Sequence, residues 1–167
     1  FAHNTDEITC ALQPRFKAPK NVEDCYAVAD TSELERGTHA VWGWLLGQSA
    51  DVTTLLEAHL LSGLLLDHSG SPLRHYLETT ELADAPSELC GLDDSGQELV
   101  LCCGVEGTES DHVDQLNREI LGVLQQVADA SVDHSTLTGI LDRMEMAQRD
   151  IGGGDYPYGL QLMGRSL

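Results

Sequence analysis

A chain of 167 residues with 41% apolar content can bury one sizeable core and is too apolar for a disordered tail. Its charge is unusual: 28 acidic residues against 9 basic ones leave a formal net charge of -19. Such a field repels nucleic-acid phosphates, so no nucleic-acid partner is expected. It suits solubility or salt tolerance alone, or the attraction of cations and basic peptides.

The amino-terminal stretch, Phe1 to Asp30, is mixed and punctuated. Three of the basic residues, Arg15, Lys17 and Lys20, lie in it, so the remainder is more acidic than the average suggests. Pro14 and Pro19 prevent a helix through the run between them. Ile8 to Leu12 and Cys25 to Val28 read as short strands, and Thr31 to Gly37 as a turn. Residues 1–37 are therefore expected to form an arm, with an α+β domain over 38–167. A chain that begins at Phe1 is expected to be processed, trimmed or part of something longer.

From Thr38 the sequence THAVWGWLLG is apolar at nearly every position and uncharged after His39. That pattern predicts a strand buried on both faces. Ser49 and Asp51 offer caps for a following helix. Val52, Leu55, Leu56, Leu60 and Leu64 recur at helical spacing. Leu61, Leu65 and Leu66 widen the stripe, so most of that helix is expected to be covered. Asp51, Glu57 and His59 interrupt the run, and no membrane span is expected.

Pro72 suits the first turn of a short helix, Pro72 to Glu78, with Ser71 as its cap. Ser87 to Leu92 and Glu98 to Val105 flank Asp93-Asp94-Ser95-Gly96 and predict an antiparallel hairpin. That tetrapeptide lacks the ligand spacing of a calcium loop. Gly107 and Thr108 are expected to break the strand, and Thr108 to Asp111 resembles a capping box. Val113, Leu116, Ile120, Val123, Leu124 and Val127 then give a one-sided helix. A last helix starts at Asp133, with Leu137, Ile140, Leu141 and Met144 as its stripe and a Val132–Leu137 staple. Gly152 to Gly154 is expected to end it, and Tyr156 to Leu167 to begin another. Two helices follow a hairpin with no strand between them. The predicted fold class is α+β, a mainly antiparallel sheet with helices on one face.

Motifs for chemistry are sparse. Seven histidines call for a metal test, yet no H-E-x-x-H, H-x-x-E-H or i,i+4 pair occurs. His59 reads as a hydrogen-bonded edge histidine. The triple glycine follows a helix, so it cradles no phosphate. Ser69 or Ser71 beside His68 and His75 lacks an orienting acid for nucleophilic catalysis. Five cysteines without a Cys-x-x-Cys spacing read as free thiols of a reducing compartment such as the cytoplasm. The amino terminus lacks the pattern of a secretory leader.

Three stretches carry a resemblance. The carboxy-terminal one runs Leu141-Asp142-Arg143-Met144-Glu145, Gln148 to Gly153, then Asp155-Tyr156-Pro157-Tyr158-Gly159-Leu160-Gln161-Leu162. The second is His39-Ala40-Val41-Trp42-Gly43-Trp44-Leu45-Leu46-Gly47. The third is Ser71 to Thr79 with Ala85-Pro86-Ser87 and Cys90-Gly91-Leu92-Asp93. Together they resemble the presequence-protease branch of the pitrilysin (insulinase) family of zinc metallopeptidases, over Pro14 to Leu162. The resemblance implies a two-layer domain, one of four related domains in two bowl-like halves around a peptide-degrading chamber. Zinc sits in the first domain, on an inverted H-x-x-E-H motif and a distal Glu. This sequence has none of those residues and matches the second domain, so no catalytic residue and no cofactor is assigned to it. The zinc would belong to the parent protein.

In relatives the second domain lines the chamber and holds substrate at a strand edge. By that analogy the substrate-binding residues would be Ser69, Gly70 and Ser71 in one loop, and Ser87, Glu88, Leu89, Cys90 and Gly91 along one strand. The partners implied are the remaining domains of the parent and unfolded, basic peptides. Two other readings stay open: a peptide-binding or assembly module of an inactive family member, and a freestanding acidic enzyme. Whether Ser87 to Leu92 has a free edge also stays open at the level of sequence.

Overall fold

The computed structural model describes residues 11–27 and 36–149, together with 159, 160 and 163. The elements run β1 (Thr38–Gln48), α1 (Val52–Leu66), α2 (Pro72–Thr79), β2 (Ala85–Pro86), β3 (Gly91–Asp93), β4 (Glu98–Thr108), α3 (Val113–Asp129) and α4 (His134–Arg149). The fold is α+β, as the order of elements predicts. A four-stranded sheet is built on β4, which pairs antiparallel with β1 on one edge and with β2 and β3 on the other.

Helices cover one face of this sheet. Leu101, Cys103 and Val105 of β4 point into the core, where they join Leu65 and Leu66 of α1, Leu73 and Leu77 of α2, and Leu116 and Ile120 of α3, and Leu99 of β4 is buried as well. The period of two in β4 and the helical spacing of α3 give this directly. Trp42 of β1 donates its indole Nε1–H to Asn117 of α3 at 3.0 Å. Tyr76 of α2 donates its hydroxyl to Glu119 of α3 at 2.8 Å. These bonds satisfy aromatic polar atoms that would be costly to bury alone.

Strand β1 corrects the expectation of two buried faces. Ala40 is buried and Trp42 and Trp44 are partly buried, but Val41 is 45% exposed and Gly43 is open. Among the described residues only the core face has helices against it, so an apolar run here does not mean coverage on both sides. Helix α1 is likewise less covered than its leucines suggest, with Val52, Leu56 and Leu61 exposed.

Caps and turns differ in detail. Asp51 caps α1, accepting from the Thr53 amide at 3.2 Å and the Thr54 hydroxyl at 2.6 Å. The Ser49 hydroxyl instead donates to the Gly96 carbonyl at 2.6 Å. Ser71 stands at the N-cap of α2, but its buried hydroxyl makes no cap bond and turns to the Gly63 carbonyl at 3.5 Å. The expected capping box does not form. Thr108 is still in β4 and donates to the Leu82 carbonyl at 2.6 Å, and a 3-10 turn, Ser110–His112, leads into α3. Residues 11, 12 and 25–27 carry no strand, while Ile8 to Cys10 and Val28 lie outside the described residues. The triple glycine and Tyr156 to Tyr158 lie outside them as well, and Gly159, Leu160 and Met163 are helical. No helix among the described residues is long and apolar enough to cross a membrane.

Candidate functional site: a strand edge beside a helical groove

Short strands at a sheet margin leave backbone groups for other chains to pair with. Strand β3 pairs with β4 through Gly91–Cys102, Leu92–Leu101 and Asp93–Val100, and has no partner on its other side among the described residues. The predicted strand Ser87 to Leu92 is shorter than expected, because its first half is a turn. The Cys90 amide donates to the Ser87 carbonyl at 3.2 Å and the Leu89 amide to the Ser87 hydroxyl at 3.3 Å. The Ser87 amide reaches Gly104 at 2.9 Å, and the Glu88 amide reaches the Glu106 carboxylate at 3.4 Å. All four amides from Ser87 to Cys90 therefore have partners already, and the free edge begins at Gly91. Gly91 has a φ of +144°, a conformation open to glycine, with nothing within 4 Å of where a Cβ would stand.

The other predicted residues fall elsewhere. Ser69, Gly70 and Ser71 form the loop between α1 and α2. There the Gly70 amide donates to His68 Nδ1 at 3.0 Å, and Ser71 is buried. Glu78 is held below the usual carboxylate range by the Arg74 guanidinium at 2.6 Å and, secondly, by Ser69. Burial pushes the Cys90 thiol up, outweighing the Gly104 amide that donates to its sulfur and pulls the other way, so it stays protonated and non-nucleophilic.

Two grooves flank the contact between α1 and α4, and both include Gly63, Ile140 and Arg143. Helix α4 comes close there because Gly63 has no side chain; a Cβ would stand 3.0 Å from Ile140. One groove, of about 450 Å³, runs past His59, Leu66 and Asp67 to Cys90 and Gly91. The other, of about 650 Å³, holds His68, Gly70 and Ser71 together with Val132 and Thr136. The two sets of predicted residues thus lie on opposite sides of one helix pair. Ion pairs mark the first groove: His59 Nε2 to Asp94 at 3.1 Å, and Arg143 to Asp67. Asp93 next to it is held low by Ser95, whose hydroxyl and amide both donate to it.

Sequence reasoning missed the α4 wall of this groove, since nothing in the α4 stripe tells which helix it meets. The one usable signal was Gly63 inside an otherwise leucine-rich helix. It also missed Glu109, Asp111 and His112, whose ligand atoms lie within 4.8 Å of one another at the start of α3. His112 Nδ1 is buried there without a hydrogen-bond partner. One imidazole and two carboxylates from a single surface turn do not fit the two-imidazole, one-carboxylate zinc set that the family resemblance implies. No catalytic step is derived through a metal in this chain.

No family model matches the chain. Against curated proteins it is 27% identical over 149 residues to the mitochondrial presequence protease of Emericella nidulans, covering 89% of this chain and 14% of that protein. It is 26% identical over 157 residues to presequence protease 1, chloroplastic/mitochondrial, of Arabidopsis thaliana, covering 93% of this chain and 14% of that one. A bacterial protein, HypA of Clostridium perfringens, is 21% identical over 148 residues. The chain spans about 14% of the length of these two presequence proteases. Several independent matches of this kind, each across most of the chain and all to one kind of peptidase, agree with the three motif stretches: over most of its length the chain is similar to a segment of the presequence proteases.

Proposed function

We propose that this chain is a substrate-holding, chamber-lining domain of a peptide-degrading metallopeptidase, equivalent to the second domain of the amino-terminal half. The metal and the water it activates belong to another part of the parent protein. The arm to residue 37 leads into a binding unit built from 38–167. Its partners are the parent's other domains and unfolded peptides, and in a eukaryote its place is the mitochondrial matrix.

One observation carries this reading: the edge of β3, unpaired among the described residues, opens beside the α1–α4 groove in a chain of net charge -19. An open edge pairs main chain to main chain, so it grips an extended segment with little regard to sequence. A folded substrate has no free main chain to offer, which restricts the edge to unfolded peptides. The acidic field supplies the second preference by concentrating basic peptides near the edge.

The test is a titration of the chain with an unstructured, lysine- and arginine-containing peptide at low and high salt. Binding at low ionic strength should weaken about tenfold or more at high salt, as screening shortens the reach of exposed charges. Absence of binding at low salt, or binding insensitive to salt and to the sign of the peptide's charge, removes the support for this role.

A further inference from the structure

Where β3's edge meets α4, the groove has a definite order of chemistry. His59 and Asp67 stand at its two ends on α1, eight residues apart. At about 1.5 Å per helical residue the ends lie roughly 12 Å apart, enough for three or four residues of extended chain. The lining also offers aliphatic side chains, Leu66 from α1 and Ile140, Met144 and Ala147 from α4, beside the polar Ser62 and Arg143. Each end carries an aspartate in an ion pair, Asp94 with His59 and Asp67 with Arg143. Cys90 and Gly91 form the groove's border on the sheet side, so the strand edge and the apolar floor belong to one continuous surface.

We propose that this groove is a side-chain subsite for the peptide held on β3. A basic extended segment would pair along Gly91–Asp93 and place one aliphatic side chain of leucine size between Leu66, Ile140 and Met144. Its flanking lysine or arginine would face Asp94 or Asp67. This rests on the substrate-holding reading above and adds a sequence preference to it. The occupant's charge follows from those two aspartates, from exposed Asp93 and from the net charge of the chain. Its apolar centre follows from the aliphatic side chains Leu66, Ile140 and Met144 in the lining. Met144 is unbranched and polarizable, so it adapts to several aliphatic shapes. The aspartates and the net charge of the chain disfavour an acidic residue at the same place, since Arg143 is already paired with Asp67.

The experiment uses the full chain and three fluorescent peptides that differ only in a central residue, leucine, glycine or aspartate, within the same lysine-flanked sequence. At low salt the leucine peptide should bind about tenfold tighter than the glycine peptide, from burial of its side chain, and the aspartate peptide weakest. In Met144→Asp and Ala147→Phe, the first lining the floor with charge and the second filling it, the leucine-to-glycine ratio should fall toward one. Carbon-13 labelling of the methionine methyl groups gives a readout that needs no variant: the Met144 signal should shift with the leucine peptide and not with the glycine peptide. A ratio near one in the unmodified chain, or an unmoved Met144 methyl at saturation, overturns the subsite even when both peptides bind. Failure of all three peptides to bind overturns the substrate-holding reading itself.

Discussion

The two sides of this domain are built to different standards. On one side β4, α2 and α3 share a core in which Leu73, Leu77, Val105, Leu116 and Ile120 are almost fully buried. On the other, α4 touches the rest of the domain through one buried residue, Ile140, the half-buried Leu137 and Met144, and the ion pair from Arg143 to Asp67. The first half fixes the sheet, and the second leaves a strand edge and a groove in the open. Stability concentrated away from a binding surface is the usual division, because a surface that must accept a ligand cannot also be filled by its own side chains.

The largest effects should come from the well-packed half. Leu116→Ala, which empties a site on α3 that no solvent reaches, should cost about 3 kcal/mol in urea unfolding. Ile140→Val, on the side of α4, should cost about 1 kcal/mol or less. Equal losses for the two would erase the contrast. Gly104→Ala tests the sheet itself. A Cβ there would sit 2.6 Å from the Ala40 carbonyl oxygen and 3.0 Å from a Val41 methyl, so β1 and β4 must part, at a cost of about 1 to 3 kcal/mol.

A smaller effect should appear between α2 and α3. Tyr76→Phe removes the hydrogen bond to Glu119 and should cost about 1 kcal/mol at neutral pH. Burial, aided by Glu119, pushes the Tyr76 phenol up to about 12 from 10.0. Folding therefore favours the protonated phenol. Its contribution is complete below pH 10 and is lost as the pH rises toward 12. Glu119 moves the other way: hydrogen bonds from Gln115 and then Tyr76 hold it below the usual carboxylate range, and that contribution fades as the pH falls. Alkaline unfolding curves should show the first slope in the unmodified chain and lack it in Tyr76→Phe. Metal should have the smallest effect. Zinc is expected to bind weakly, and the chain alone to leave peptides uncut. Stoichiometric zinc with chelator-sensitive cleavage would place catalysis in this segment after all.

The packed half was the legible one. The alternation in Glu98 to Val105 and the spacing of Leu116, Ile120 and Val127 each describe a single face against a single core, so local pattern and tertiary outcome agree. The cysteines read as free thiols, and Cys25, Cys90, Cys102 and Cys103 are free; burial pushes Cys103 up to about 12, and Cys102 is raised in the same way. Misreadings fell where apolar residues face something other than this core. Val41, Leu56 and Leu61 read as buried because hydrophobicity alone cannot say whether a second layer covers them. Thr108 read as a cap because its capping-box pattern is local, whereas its hydroxyl was taken by Leu82, distant in sequence. The candidate site was legible only in outline. Resemblance pointed to the segment from Ser87 to Gly91, yet the turn at Ser87–Cys90 and the α4 wall depend on contacts that no local spacing encodes.

Amide mapping by NMR during titration with a basic, unstructured peptide at low salt tests the substrate-holding role most directly. The backbone amides of Gly91, Leu92 and Asp93 should shift, and whichever of them faces the open edge should gain protection from exchange with solvent. Those of Leu101 and Cys103 in the sheet interior should stay as they were. Perturbations confined to the β1 edge or to α3, with Gly91 to Asp93 unmoved at saturation, would contradict it.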